Sequence, residues 1–305
     1  MGVRTGSWKM GYMRRILIIL LCLYPLIGFS EDWTWWNEKH GWEPGMRDWR
    51  GMMHITPGYL GPNALPVPEM KKGIVPGGEH IELGADFHFR EGDPTQNIFA
   101  KYFRSFADDK IAIEIYGVVL EHYAMSDSIR DERIARDFDG KGFAIGDFYF
   151  STLIQLVRGR KFPDTMFRMV GRTASGGQFE GARYSDSPGY FLDFSFSKEY
   201  FGIHEKMSFR PYTSWGFYSW QTNDDMNLQN DALMYGVGAD LKWSRWSVSN
   251  SLSGYSGYKK ERDQPMVYTF DLNHTLKNQT LRFQYLYGIR DWTYQTFKFS
   301  VIWNL

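Results

Sequence analysis

The chain has 305 residues, of which 35 are basic and 35 acidic, so the formal net charge is +0; 18% of the residues are aromatic. Balanced charge gives no net field toward nucleic acid or an anionic surface, which argues against a nucleic-acid role. The single cysteine, Cys22, leaves no disulfide framework, and the aromatic share is high for a soluble domain of this length.

Arg14 and Arg15 precede an apolar run from Ile16 to Phe29, broken by Pro25, with Gly28 and Ser30 as small residues before Glu31. This is the pattern of a cleaved signal peptide over residues 1–30, and the run is too short to cross a bilayer as a helix. Met10 and Met13 are alternative starts that would shorten the leader. Cys22 follows Leu20 and Leu21 rather than the small residues of a lipoprotein cleavage site, so no lipid anchor is expected. After Glu31 no stretch of about 18 apolar residues occurs, so no transmembrane helix is expected.

Residues 31–78 are rich first in tryptophan (Trp33, Trp35, Trp36, Trp42, Trp49) and then in proline and glycine. The prolines between Thr56 and Pro68 fix φ and remove donors, excluding a helix or a central strand. An irregular extended arm is expected, either periplasmic or plug-like.

From residue 79 to the end the period is two. Ile81, Leu83, Ala85, Phe87 and Phe89 alternate with His80, Glu82, Gly84, Asp86, His88 and Arg90, which places the apolar groups on one face of a strand. The same alternation recurs from Leu233 to Trp243, Met266 to Asn273, Leu281 to Arg290 and Phe297 to Leu305. About twelve strands follow, near 79–90, 95–105, 110–124, 146–157, 165–174, 189–197, 207–218, 231–243, 246–256, 265–276, 279–290 and 293–305. Each is near the 9–11 residues a tilted strand needs to cross a bilayer, or longer. Even-numbered connections are mostly tight, such as Ser244-Arg245 and Lys277-Asn278. Several odd ones, including 126–142, 174–188, 219–230 and 257–264, are long and polar. Short periplasmic turns alternating with longer outer loops are a property of outer-membrane barrels. The fold expected is all-β: an antiparallel transmembrane β-barrel of about twelve strands over residues 79–305, with an irregular N-terminal arm.

The polar face collects Glu82, Asp86, His88, Arg90, Glu114, Asp147, Arg168, Arg172, Asp193, Arg210, Asp240, Lys242, Asp271, Arg282 and Lys298, an expected lumen network of paired charges. Aromatic residues near strand ends, among them Phe87, Phe89, Trp243, Trp246, Tyr285, Tyr287 and Trp303, suit the two water–lipid boundaries. The last strand, Phe297 to Leu305, resembles the C-terminal strand of outer-membrane barrel proteins, with Leu305 where a terminal Phe or Trp is usual. The run Gly61-Pro62-Asn63-Ala64-Leu65-Pro66-Val67-Pro68 resembles one in uncharacterised outer-membrane proteins of Gram-negative bacteria, a likeness that implies location and no activity. It implies export to the outer membrane, with membrane lipid and the barrel-assembly machinery as partners.

Asp86 and His88 sit two apart on one strand and are the candidates for general-base chemistry. Omptin proteases resemble this in carrying an Asp–His pair on a barrel wall, but they add two opposing aspartates and usually have ten strands; only Asp147 or Asp193 is available here. In the outer-membrane phospholipase family a His-x-Ser-Asn-Gly order is found, which His274-Thr275-Leu276 lacks. His80, Glu82 and His88 share a face, yet no fourth ligand is in view, so neither metal nor cofactor is expected. The function expected is a structural or passive pore role. The alternatives are a barrel enzyme acting on lipid, lipopolysaccharide or peptide, and a binding module engaging a periplasmic partner or glycan through residues 31–78.

Overall fold

The computed structural model describes residues 32–159, 161–202 and 207–305; the expected leader over 1–30 lies outside them. Residues 32–44 belong to a unit of their own, containing helix α1 (Thr34–His40), which Gly41 ends in the left-handed region at φ 66°. Glycine adopts that region without a Cβ penalty.

Gly45–Leu305 forms the second unit. Its strands are β1 (Glu79–Phe89), β2 (Thr95–Phe106), β3 (Ile111–Ala124), β4 (Lys141–Ala144), β5 (Phe148–Val157), β6 (Asp164–Arg172), β7 (Gly189–Ser197), β8 (Tyr200–Phe201), β9 (Met207–Asp224), β10 (Asn227–Trp243), β11 (Trp246–Gly257), β12 (Met266–Thr275), β13 (Gln279–Arg290) and β14 (Gln295–Asn304). Neighbours pair antiparallel. The last strand returns to the first, from His80 opposite Asn304 to Phe89 opposite Gln295. Twelve strands close the wall, while the short β4 and β8 pair only with β3 and β9. Closure leaves no unpaired edge, the condition for a sheet to cross a bilayer.

The twelve expected segments match the twelve wall strands to within a few residues, apart from 219–230. There the expected loop is strand on both sides: β9 and β10 run on to a turn at Asp225 and Met226, with Gln221 opposite Gln229. The expected loop 126–142 contains helix α2 (Asp127–Glu132), whose Ser126 hydroxyl accepts from the Ile129 N–H as an N-cap. Barrel residues 79 and 304 and the short turns at 244–245 and 276–278 lie at one end, the turn end; α2 and the longest connections lie at the other, the loop end, together with the tight turn at Asp225 and Met226.

The faces are inverted relative to a soluble protein. Leu83, Phe299 and Val237 are 45%, 52% and 58% exposed, whereas Glu82, Asp86, Asp193 and Asp271 are buried. An apolar exterior around an ionic interior is stable only where the surroundings are themselves apolar. Exposed Phe87, Phe89 and Tyr287 ring the loop end, and Trp246 and Trp303 the turn end.

An eight-strand barrel is just filled by its own side chains, so twelve strands leave room for more. Here the room is taken by residues 55–78, which run through the bore from loop end to turn end. Near the loop end, Gly58 N–H donates to Arg262 O and Gly61 N–H to Ala182 O; near the turn end, Ser105 N–H donates to Gly78 O. Between those points prolines keep the arm out of the sheet, and wall side chains meet its backbone groups instead. Trp220 Nε1 donates to Ile55 O, Trp292 Nε1 to Pro62 O, Arg172 Nη1 to Ala64 O, Tyr255 Oη to Leu65 O, and Gln155 Nε2 to Gly73 O. Buried backbone groups left unpaired would cost about 1–3 kcal/mol each. Ile55, Leu60, Ala64 and Leu65 also pack with Tyr218, Trp220 and Tyr255 in one apolar cluster. Near the turn end Val75 packs with Phe103, Ala112, Leu153 and Met166 in another. Each Leu-sized side chain buried this way contributes roughly 1.5–3 kcal/mol.

Candidate functional site

The middle of the bore is an ionic layer in which three charged residues of the arm, Glu69, Lys71 and Lys72, meet a larger set from the wall. Lys71 reaches Glu114 on β3 at 2.5 Å, and Lys72 reaches Asp240 on β10 at 2.7 Å and Ser249 on β11 at 3.2 Å. Glu69 takes Lys101 at 3.3 Å and also contacts Arg282. Lys101 in turn pairs with Glu82 at 3.3 Å, and Arg282 with Asp271 at 2.6 Å and Glu82 at 3.4 Å. Arg168 meets Asp193 through both Nε (2.7 Å) and Nη2 (2.6 Å), which converge on the single oxygen Oδ2 in a charge-assisted pair. The arm is therefore tied to β2, β3, β10 and β13 through charged side chains, which a barrel can release without unzipping its ladder.

Other residues of the expected network lie elsewhere. Arg210 joins Asp164 (3.0 Å) and Glu199 (2.6 Å) toward the turn end, and Lys242 is exposed at that rim. Arg90 lies at the loop end, 3.7 Å from Glu132, with its guanidinium over the Tyr294 ring.

Asp86 and His88 are both buried but are joined through Asn97. Asn97 Nδ2 donates to Asp86 Oδ2 at 3.1 Å, so its Oδ1 accepts from His88 Nε2 at 2.8 Å and from Asn63 Nδ2 at 2.9 Å. His88 Nδ1 then accepts from the Thr296 hydroxyl at 2.7 Å. Lys298 pairs with Asp86 at 3.2 Å. Both imidazole nitrogens are engaged, whereas a general base needs one directed at a substrate proton. His80 stacks on Phe103 with ring centroids 4.6 Å apart, and among the described residues no group of His, Cys, Asp and Glu is arranged to hold a metal ion.

The loop end holds a second cluster, assembled from residues outside the expected list. Buried Arg183 donates from Nη1 to Asp93 (2.8 Å), from Nε to Glu121 (2.7 Å) and from Nη2 to Thr95 (2.8 Å). Arg133 meets the other Asp93 oxygen at 2.7 Å, and Tyr294 donates to that same oxygen. Asn63 of the arm and Tyr184 complete Glu121 at 2.7 and 3.0 Å. Three segments, 90–94, 125–147 and 173–188, are thereby fastened over the arm.

Burial alone would raise the Asp93 carboxyl, but the Arg183 and Arg133 guanidiniums beside it outweigh that and hold it below the usual carboxylate range. A lowered folded value means stability present above the ordinary carboxylate range and lost as pH falls through the depressed one. Unfolding free energy measured against pH should therefore decline on the acid side, and Asp93→Asn should flatten that part of the curve. An unchanged acid limb in the variant would refute the assignment.

Around the arm a cavity of about 210 Å³ remains, bounded by Lys72 and Pro66 of the arm and by Asp147, Tyr149, Ser251 and Gln284 of the wall.

No protein-family model matches the sequence, and no curated protein matches it either. Among solved structures, an outer membrane channel from Pseudomonas putida F1 superposes with a TM-score of 0.55 at 9% identity, covering 78% of this chain and 100% of that one. The NanC porin (TM-score 0.48, 8% identity, 74% of this chain and 100% of that one) and the KdgM porin (0.44, 8%, 73% and 99%) are also similar. What this chain shares with the Pseudomonas channel is the fold.

Proposed function

We propose that the protein is a bacterial outer-membrane barrel, exported by a cleaved leader over residues 1–30, that passes small solutes passively and whose bore is gated by its own arm. The observation that carries this reading is the ionic layer: Glu69, Lys71 and Lys72 hold the arm across the bore by side-chain pairs rather than by strand pairing. The apolar exterior and the fold shared with a channel protein support the membrane setting. By the alternation of short turns and longer loops, the turn end faces the periplasm and the loop end the outside.

Because the only cysteine lies in the expected leader, Lys71→Cys with Glu114→Cys gives two addressable thiols. Bridging them with a short reducible bifunctional reagent should hold a purified, bilayer-inserted barrel at its lowest conductance. Reduction should raise conductance above that of the bridged protein, to at least the wild-type level because the Lys71–Glu114 pair is gone, and the Glu69→Ala, Lys71→Ala, Lys72→Ala variant should conduct several-fold more than wild type. Equal conductance in bridged, reduced and triple-alanine proteins would overturn gating by the arm. Silence in all three would overturn solute passage.

A further inference from the structure

Along β11, β12 and β13 the inner wall is uncharged and hydroxylated where it borders the cavity around the arm. Ser251 and Ser253 of β11, Thr269 of β12 and Gln284 of β13 all line that cavity. The two-residue repeat turns them inward, since Leu252 between the two serines is exposed on the outer face. Ser251 stands opposite Thr269, and Asp271, two residues on from Thr269, stands opposite Gln284, so the four groups occupy neighbouring rungs of three adjacent strands. Ser253 and Gln284 are only 6% and 7% exposed, yet among the described residues no hydrogen bond engages the side chain of either, or that of Thr269. The arm residues that border the same cavity include Pro66 and Pro68, which have no N–H to offer them.

The charged residues that border the cavity are all committed to ion pairs, from Lys71 with Glu114 to Lys298 with Asp86. An ionic ligand would have to separate a buried pair, which is costly, whereas a neutral one need not. A hydroxyl both donates and accepts, and a carboxamide carries donors and an acceptor, so the unengaged groups complement a ligand whose own groups do both. Tyr212 and Tyr218 border the same space and supply apolar ring faces. The volume of about 210 Å³ lies below the roughly 300–1,000 Å³ of sites for drug-sized ligands, so the occupant is small. We infer that the hydroxylated side of the cavity, built on Ser253, Thr269 and Gln284, is a binding site for a small neutral polyhydroxylated solute, a single sugar or a polyol. The site rests on the reading of the bore as a solute path and names its solute class. Binding is read without conductance, so the two can fail separately.

The test is a saturation-transfer NMR titration of the full chain, folded in an amine-oxide detergent that carries no sugar headgroup, with glucose, with sorbitol and with sodium gluconate at constant ionic strength. Saturable binding is expected for glucose or sorbitol, and which of them binds distinguishes a cyclic from an open-chain ligand; gluconate, of like size but charged, should bind at least tenfold more weakly. Thr269→Val removes a hydroxyl at nearly constant volume, and Ser253→Ala removes another; each should weaken binding threefold or more, and Gln284→Leu by tenfold. Heat-modifiable gel migration checks that each variant is folded, and the first two decide the matter if Gln284→Leu is not. No saturation with glucose or sorbitol, or binding that Thr269→Val and Ser253→Ala leave intact, would overturn the site. Gluconate binding as tightly as the neutral compounds would overturn the solute class.

Discussion

Arg183→Ala is expected to cost the folded barrel about 3–5 kcal/mol, because it removes one partner from a fully buried ionic cluster and leaves Asp93 and Glu121 charged in a dry interior. The guanidinium also lies 4.7 Å from the centre of the Tyr123 ring, so packing is lost with the charge. Lysine at the same position should rescue little, since a single ammonium cannot reach Asp93, Glu121 and Thr95 from three directions. Urea unfolding in micelles, followed by tryptophan emission and by heat-modifiable gel migration, measures the difference. A loss below about 1 kcal/mol would show that the loop end is not held by this cluster.

The second large effect concerns the outer face. Val237→Arg places a cation midway along β10, on the face that also carries Leu233 and Leu241. If that face meets hydrocarbon, the cost is about 2–4 kcal/mol, as for arginine near a bilayer midplane. On a barrel surrounded by water the same change would be nearly neutral. Refolding yield into lipid vesicles and the unfolding midpoint of the refolded protein both read this difference. A Val237→Arg protein as stable as the parent would remove the membrane assignment.

The wall is legible from the sequence because its cause is local: apolar residues at every second position assign each strand two faces wherever the chain is extended. The same rule fails where the ladder is irregular. Opposite the Ile98–Phe99 step of β2, β3 carries an extra residue at Val119, a bulge that shifts the side-chain alternation. Glu114 is inward on the strict repeat, but Glu121 would be on the lipid face without that bulge; with it, Glu121 enters the loop-end cluster. Arg133 and Arg183 lie in connections, where no periodicity says which way a side chain turns. Lys71 and Lys72 meet partners 43 and 168 positions away, contacts that no window along the chain can contain. What was visible is that Glu69, Lys71 and Lys72 interrupt a proline-rich, otherwise mostly apolar arm just before a charge-balanced wall begins. The prolines themselves excluded strand and helix there, and the arm's backbone indeed finds its partners among wall side chains.

The seam between β1 and β14 has a consequence for assembly order. The arm is covalently continuous with β1 through Gly78, and β1 and β14 stand at opposite ends of the strand order, so the ring is sealed only when these two distant strands meet. If the seam zipped first, the arm up to Gly58 would have to be drawn through a finished cylinder. Curling the open sheet around a core strand of proline-rich chain avoids that passage, and makes residues 55–78 an internal mandrel on which the cylinder is wound.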